Sequence, residues 1–359
     1  MAKRAGVDKW MFFITVLLIV AGLAMVFSAS AIMAQERYHS PYTFVLKQAL
    51  WAVCGIAFLL VLSHIDYTVY KSPRFIYPAL SVTILLLVLV FLMPGSHNTH
   101  RWIRFGNFFT FQPSEIAKPV LVLFLAWFLS TRLDKMRDWK NTLARAILIP
   151  AVLIVLIVRQ PDLGTALVLA GVTVLMLYLA AVVCATLPFL AALLILVPWR
   201  LARVMAFLHP NCDAKELPAA SYHVCQSLIA VGTGGLNGRG YMEGVQKLFF
   251  LPEAHTDFIF ANIAEEMGFI GAIVIVLLFA AFALRGLRIA FHVQDPFGRL
   301  TAFGITVAIV LQAFFNISVV LALVPTKGIP LPLISSGGTS VAVTLASIGI
   351  LLNISRKVD

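Results

Sequence analysis

The stretch LPEAHTDFIFANIAEEMGFIGAIVIVLLFAAFAL, residues 251–284, joins a polar run directly to a long apolar segment. The polar run carries Glu253, His255 and Asp257. The apolar segment is long enough to cross the hydrocarbon of a membrane, which takes about 20 residues in a helix. Because a carboxylate beside hydrocarbon is costly unless it is paired or used, this stretch predicts a membrane-spanning helix with a functional group at its start.

The composition extends the membrane prediction to the whole chain. Of the 359 residues, 61% are hydrophobic and 12% are charged, and the mean hydropathy is +0.95. A soluble domain with a polar shell does not have this composition. We therefore predict a single all-α, polytopic membrane domain over residues 1–359. About ten segments are apolar enough to be spanning helices, namely 10–33, 45–62, 76–93, 115–130, 144–158, 163–182, 184–199, 257–284, 300–324 and 339–353.

The charges predict the orientation. The net charge of +11 comes from Lys and Arg in short loops, which excludes a soluble face that binds nucleic acid. The positive-inside rule places both termini in the cytoplasm. The loops on that side carry Lys71, Arg74, Arg132, Lys135, Arg137, Lys140, Arg145, Arg285, Arg288, Arg299, Arg356 and Lys357. Basic residues that remain on the outer side, among them Arg101, Arg104 and Lys247, need another explanation, and an anionic ligand is one.

Two outer connections, 94–114 and 200–256, are too long to be simple turns. The second separates predicted helices 7 and 8 and is rich in apolar residues, so we expect it to fold back on the membrane as amphipathic or re-entrant pieces. It contains Cys212 and Cys225, for which a disulfide and two free thiols are both compatible with an outer location. The sequence shows no convincing internal repeat, and this argues against a transporter built from inverted halves.

Three further motifs contain polar groups or helix breakers. FQPSEIAK (111–118) opens a helix and places Glu115 and Lys118 on one face, which predicts a capped helix with a local ion pair. RQPDLGT (159–165) predicts a turn in which Asp162 caps the next helix. PTKGIPLPLISSGGTS (325–340) must be buried or line a cavity, with its GG pair permitting tight packing or close approach of a ligand.

The polar run at the start of residues 251–284 allows two interpretations. Thr256 or Asp257 is suited to cap the helix that follows. A cap needs one such residue, however, and this run offers Glu253, His255 and Asp257 together. Deeper in the same helix, Glu265 and Glu266 must pair or line a wet cavity, and Lys118 is one partner that the sequence offers.

Five motifs in this order, FQPSEIAK, QPDLGTA, YHVCQSLIAVGTGGLNGRG, LPEAHTDFIFANIAEEMGF and PTKGIPLPLISSGGTS, resemble the SEDS (shape, elongation, division and sporulation) family. The family includes FtsW and RodA, and the wording of the last two motifs is closer to the FtsW branch. The resemblance covers essentially the whole chain. Two positions depart from the family pattern: Ser336 stands where Tyr is usual, and YMEG (241–244) is not the usual glycine-rich wording.

The resemblance implies a peptidoglycan glycosyltransferase in the bacterial cytoplasmic membrane. Its substrates would be lipid II and the growing lipid-linked glycan, polymerised at the outer face. The implied partners are a class B penicillin-binding protein and other membrane proteins of the divisome or elongasome. A lipid II flippase and a non-catalytic scaffold of the division machinery are the alternatives. Clustering of the polar groups at the outer side favours the enzyme.

The site residues follow from this resemblance and from the chemistry of the reaction that it implies. Asp257 matches the essential acid of the family and would act as general base. Positive charge would stabilise the leaving pyrophosphate, and a divalent cation, Mg or Mn, is a candidate for sharing this work. The residues expected to bind substrate are Arg101, Lys118, Lys247, Glu115, Lys47, Arg104, His255 and Gln246.

Overall fold

The computed structural model describes residues 6–93, 101–105, 109–132, 144–179, 219–248, 250–324 and 328–358. These residues form ten α-helices: α1 (Lys9–Tyr38), α2 (Thr43–His64), α3 (Pro73–Leu89), α4 (Pro113–Ser130), α5 (Ala144–Arg159), α6 (Leu163–Leu179), α7 (Ala219–Gly234), α8 (Ile259–His292), α9 (Pro296–Val320) and α10 (Gly338–Ser355). Two 3₁₀ helices, Tyr67–Lys71 and Val90–Leu92, flank α3. Strands β1 (Ile103–Phe105) and β2 (Phe109–Phe111) form an antiparallel hairpin before α4.

The all-α polytopic membrane fold is confirmed. Seven helices of the described residues are long and apolar enough to cross a membrane: α1, α2, α3 with the 3₁₀ turn after it, α4, α8, α9 and α10. The shorter helices α5 and α6 coincide with two further predicted segments. Nine of the ten predicted segments are therefore helices, and the tenth, 184–199, lies outside the described residues.

The helices approach one another closely where glycines lie on their contact faces. α2 and α10 pack along each other, with Gly55 against the backbone of Ala342 and Gly349 against that of Leu59. A Cβ at Gly349 would lie 2.6 Å from the carbonyl oxygen of Leu59. Small residues are the usual means of close helix packing in membranes, where burial in lipid drives association only weakly.

One end of the bundle is closed by ion pairs between distant parts of the chain. Asp8, before α1, accepts a hydrogen bond from Arg285 near the end of α8 at 2.7 Å. Lys71 lies 3.3 Å from Asp295, which precedes α9. We call this end, with Lys357 after α10, the basic end. The opposite end, where α4, α6, α8 and α10 begin, is called the site end.

The connection before α8 folds back into the bundle, as its apolar residues predict, and residues 219–234 of the predicted loop form α7. Loop 235–248 then reaches an interruption of α8 at Gly268, where φ is 65° and ψ is −165°. Arg239 and Gly240 donate backbone hydrogen bonds to the carbonyls of Glu265 and Glu266, both at 3.0 Å. The interruption lies about 14 Å along α8 from its start. Lipid cannot form hydrogen bonds with the backbone of α8 at this interruption, and loop 235–248 supplies them instead.

The cysteines of this region are partly defined. Cys225, on α7, is disulfide-bonded. Cys212 lies outside the described residues, so the pairing of these two cysteines stays open. Cys54, on α2, is a free thiol at an exposed position of the helix.

Candidate active site

Asp257 lies in a series of turns at the site end, immediately before α8. The carbonyl of Glu253, whose φ is 54°, accepts the backbone N–H groups of Thr256 and Asp257 at 3.1 Å each. The turns continue through Phe258, which is the N-cap residue of α8 and makes no side-chain capping hydrogen bond. The prediction that Thr256 or Asp257 caps this helix is therefore wrong, because α8 begins at Ile259, one residue later than a cap at Asp257 requires and two later than a cap at Thr256 requires.

The environment of the Asp257 carboxyl group favours its neutral form. Burial raises its pKa from 3.8 to about 7, and the negative charges of Glu253 and Asp162 act in the same direction. The guanidinium of Arg101 partly offsets them by lowering the pKa. A carboxyl group that titrates near neutral pH is suited to accept a proton during catalysis.

The segment 328–337, between α9 and α10, forms one wall beside Asp257. A Cβ atom at Gly328 would collide with the Asp257 carboxylate, so the backbone of this segment lies directly against the acid. The Ser335 hydroxyl donates to the carbonyl of Thr256 at 2.5 Å, and Ser336 N–H donates to that of His255 at 3.0 Å. The predicted buried position of the segment is thus observed.

The GG pair in the same segment serves close packing. A Cβ atom at Gly338 would collide with the indole ring of Trp51 on α2. Gln48, one turn earlier on α2, donates to the carbonyl of Ser335 at 3.0 Å and accepts from Gly337 N–H at 3.1 Å. Of the two interpretations of the pair, tight packing against a helix is the one that the contacts support.

The motifs FQPSEIAK and RQPDLGT meet in a second polar cluster at the site end. Asp162 accepts hydrogen bonds from Gln112 at 3.0 Å and from Ser114 at 3.2 Å. It also accepts the backbone N–H of Thr165 at 3.2 Å, as predicted for the cap of α6. Arg101 donates to the carbonyls of Gln160, at 3.1 Å, and Pro161. Asp162 thereby joins two motifs that are about 50 residues apart in the chain.

Glu115 and Lys118 form the predicted ion pair, with 2.8 Å between Oε2 and Nζ. Both side chains are buried, and Nζ also donates to Oε1 of Gln312 on α9 at 2.6 Å. A cavity of about 20 Å³ beside Lys118 extends to α10, where Thr344 and Ser347 line it. This is room for about one water molecule.

Lys247 pairs with Glu266 rather than approaching the Asp257 cluster. Its ammonium lies 2.5 Å from Oε1 of Glu266 and donates to the Ser28 hydroxyl of α1 at 2.9 Å. Glu265 accepts the backbone N–H groups of Val245, at 2.9 Å, and Gln246, at 3.1 Å. The suggestion that Lys118 pairs with one of these glutamates is wrong, because α8 turns both carboxylates towards loop 235–248.

The remaining predicted residues lie around the site at different depths. His255 is buried against the ring of Phe44, with 4.9 Å between the ring centroids. Burial lowers the pKa of His255, the charge of Glu253 opposes this effect, and Arg37 adds to it. Lys47 is half-buried at the fifth position of α2, and Arg104 lies in β1 opposite Thr110.

Two residues that the sequence did not point to bridge these groups. Gln312 and Asn316 are buried on α9, and Asn316 donates to the carbonyls of Asp257, at 2.7 Å, and Ile329, at 2.6 Å. A pair of amides four residues apart in an apolar helix is the available signal, since such residues share one face. Among the described residues, no group of three or more His, Cys, Asp and Glu is placed to hold a metal ion.

Comparison with known proteins gives one consistent result. Residues 9–359 match the family model FtsW/RodA/SpoVE, described as cell cycle protein. A protein of Geobacter metallireducens, called probable peptidoglycan glycosyltransferase FtsW, is 42% identical over 94% of this chain and 91% of its own. Stage V sporulation protein E of Bacillus subtilis is 36% identical over 99% of this chain and 98% of its own.

Solved structures share the fold. A chain from work described as the structural coordination of polymerization and crosslinking by a peptidoglycan synthase complex superposes with a TM-score of 0.79, at 24% identity and over 98% of both chains. The crystal structure of RodA from Thermus thermophilus gives a TM-score of 0.68 at 25% identity, over 98% of this chain and 97% of its own.

Proposed function

The chain belongs to the FtsW/RodA/SpoVE family of cell cycle proteins, and we propose that it is a peptidoglycan glycosyltransferase that polymerises lipid II. The observation that carries the proposal is the setting of Asp257, a half-buried carboxyl group whose pKa is raised to about 7 beside the guanidinium of Arg101. Relatives of about 40% identity bear the name of this activity, which supports the assignment.

The reaction joins two lipid-linked sugars. The 4-hydroxyl of the acceptor N-acetylglucosamine attacks the anomeric carbon of the lipid-linked N-acetylmuramic acid at the end of the growing strand. The new C–O bond forms with inversion as the bond to pyrophosphate breaks, which gives a β-1,4 linkage and undecaprenyl pyrophosphate. The ionised Asp257 carboxylate accepts the hydroxyl proton, a contribution of about 10² to 10⁴-fold.

Arg101 is the cation best suited to the leaving pyrophosphate. Its guanidinium is oriented by the carbonyls of Gln160 and Pro161, which are neutral partners, and among the described residues it forms no ion pair. Lys118 and Lys247, in contrast, are each paired with a buried glutamate. We therefore place Arg101 nearest the developing negative charge, where a fixed cation is most effective.

The other predicted residues take roles that follow from their positions. Lys118, oriented by Glu115, supports the site from within the bundle. Lys47, Arg104 and His255 remain candidates for contacts to the sugar and the phosphates. Lys247 and Gln246 hold loop 235–248 on α8. Mg or Mn stays a candidate for sharing the charge of the leaving pyrophosphate, and among the described residues no group of three or more His, Cys, Asp and Glu is placed to hold it.

We place the site end at the outer face of the bacterial cytoplasmic membrane and both termini in the cytoplasm. The basic end carries Lys71, Arg285 and Lys357, and the positive-inside rule assigns such an end to the cytoplasm. Undecaprenyl chains cannot leave the bilayer, so a reaction at the outer interface keeps both substrates embedded. A class B penicillin-binding protein is the proposed partner, supported by the likeness to a chain of a peptidoglycan synthase complex.

A flippase is less well supported. It would use charges along the full depth of the membrane as a polar route. The deep carboxylates Glu265 and Glu266 are instead occupied by the backbone of loop 235–248 and by Lys247. A scaffold without chemistry would not need the raised pKa of Asp257.

The test is reconstitution of the full chain with its partner and pure lipid II, with glycan polymer as the readout. We expect polymer from the wild type and from Asp66→Asn, which alters an exposed carboxylate at the basic end. We expect none from Asp257→Asn or Asp257→Ala. Polymer formation by the Asp257 variants at near the wild-type rate would show that Asp257 is not the base.

A further inference from the structure

Two amide side chains of α9 connect the proposed base to the buried cation. Asn316 donates from one nitrogen to the carbonyl of Asp257 at 2.7 Å and to that of Ile329 at 2.6 Å. Gln312 donates to the carbonyl of Pro330 at 2.8 Å and accepts from Lys118 Nζ at 2.6 Å. Each amide therefore links two segments that are separate in the chain.

The two amides act from one rigid face. Gln312 and Asn316 are four residues apart on α9, so both side chains leave the helix on the same side. Both are buried, with 3% and 1% of their surface exposed. Burying an amide without partners is costly, and hydrocarbon side chains would pack here without that cost. Their presence therefore needs an explanation beyond filling space.

The contacts place the segment 328–331 between α9 and the acid. Gln312 and Asn316 hold the carbonyls of Pro330 and Ile329, and Gly328 lies against the Asp257 carboxylate. A shift of this segment would move one wall of the site. A shift of Asp257 itself would break the hydrogen bond from Asn316.

We propose that Gln312 and Asn316 are positioning residues for the polymerisation reaction, which set the place of the Asp257 carboxylate relative to the Lys118–Glu115 pair. Neither side chain contacts the substrate. Asn316 holds the backbone of the base, and Gln312 holds the ammonium of Lys118. The inference rests on the proposed function, because it assumes that Asp257 accepts a proton from a sugar hydroxyl.

The test compares Asn316→Leu with Asn353→Leu in the full chain, reconstituted with its partner and lipid II. Asn353 is the matched control, because it too is a buried amide that joins two backbone segments, Ser63 and Tyr67, but at the basic end. Rates are expressed per amount of folded protein, measured by gel filtration and thermal unfolding in detergent.

The expected result is specific to the position of the base. Asn316→Leu should lower kcat about 10- to 100-fold with KM for lipid II changed less than about threefold, since small misplacements of a catalytic group have effects of this size. The pH of half-maximal rate should also fall, because a released carboxylate reaches water more easily. Glu253, Asp162 and Arg101 also act on the pKa of this carboxylate and are unchanged in the variant. A purely structural role would leave the pH profile unmoved.

Two further variants keep the inference open to test if Asn316→Leu does not fold. Asn316→Ser retains one donor and should lose less kcat than the leucine variant, and Gln312→Met should lower kcat by freeing Lys118. Wild-type kcat and pH profile in these variants would overturn the inference while leaving the proposed function intact. An equal loss in Asn353→Leu would also overturn it. Absence of polymer from the wild type would overturn the proposed function and this inference together.

Discussion

The ammonium of Lys247 lies 2.5 Å from a carboxylate oxygen of Glu266, and the side chains are 2% and 0% exposed. The Ser28 hydroxyl of α1 donates to the same carboxylate at 2.6 Å. Loop 235–248, α8 and α1 are thereby joined at one point inside the bundle. The pair explains why two consecutive glutamates occur in an apolar helix: they hold the folded-back loop in place.

Removing one partner of this pair should be strongly destabilising. In Lys247→Met the carboxylate of Glu266 remains buried without its cation, and we expect a loss of about 3 to 5 kcal/mol. The double variant Lys247→Met/Glu266→Gln should recover much of the lost stability, because it buries no unpaired charge. Thermal unfolding in detergent measures both effects.

The control for this prediction is Lys71→Met. Lys71 pairs with Asp295 at 3.3 Å, but the two side chains are 42% and 29% exposed. An exposed pair contributes about 0 to 1 kcal/mol, so this variant should unfold close to the wild type. Equal losses in Lys71→Met and Lys247→Met would contradict the structural role of the buried pair.

The rate of polymerisation should depend on pH through Asp257. A general base must be ionised, and burial with neighbouring negative charge raises the pKa of this carboxyl group to about 7. The rate should therefore rise with pH and reach half of its maximum near pH 7. Initial rates of glycan formation between pH 5.5 and 8.5 measure the midpoint, and a midpoint near pH 4 would contradict the raised pKa.

Glu253→Gln should move this midpoint to lower pH. The negative charge of Glu253 is one cause of the raised pKa of Asp257, and the neutral amide removes it. Glu243→Gln is the matched control, because Glu243 is exposed in loop 235–248 and does not act on the pKa of Asp257. If both variants had the same pH–rate profile as the wild type, the electrostatic effect of Glu253 on Asp257 would be refuted.

Asp257→Asn should be inactive yet more stable than the wild type above pH 7. The pKa of Asp257 is raised on folding from about 3.8 to about 7, so the wild type loses stability as the pH rises between these values. Asparagine carries no charge and avoids this loss. The difference in Tm between variant and wild type should grow from pH 5.5 to about 7 and then level off. A difference in Tm that does not change with pH would argue against the raised pKa of Asp257.

Gly328→Ala should impair activity more than stability. The added Cβ would collide with the carboxylate of Asp257, which is the end of a side chain and is able to move aside. The fold should therefore survive while kcat falls about 10- to 100-fold through misplacement of the base. Gly232→Ala is the control, because a Cβ there meets no atom within 4 Å. Equal activity of both variants would contradict the packing of the segment against Asp257.

Local signals in the sequence were enough to predict several contacts of the site. The ion pair of Glu115 with Lys118 and the cap formed by Asp162 join residues three apart, and helix geometry alone places them together. The capping role offered for Asp257 failed, since the turns held by Glu253 delay the start of α8. The partner of Glu266 was also missed, because it is Lys247, on a loop that folds back along the helix.

Composition along the chain was enough to predict which segments form long apolar helices, nine of which the structure describes. Transfer of a segment into hydrocarbon is close to a sum over its own residues, so composition along the chain is sufficient. Which buried polar groups contact one another could be read only from the folded chain. Ser28 reaches Glu266 across 238 positions and Asn316 reaches Asp257 across 59. Such pairs depend on how helices pack, and no local pattern of residues specifies that packing.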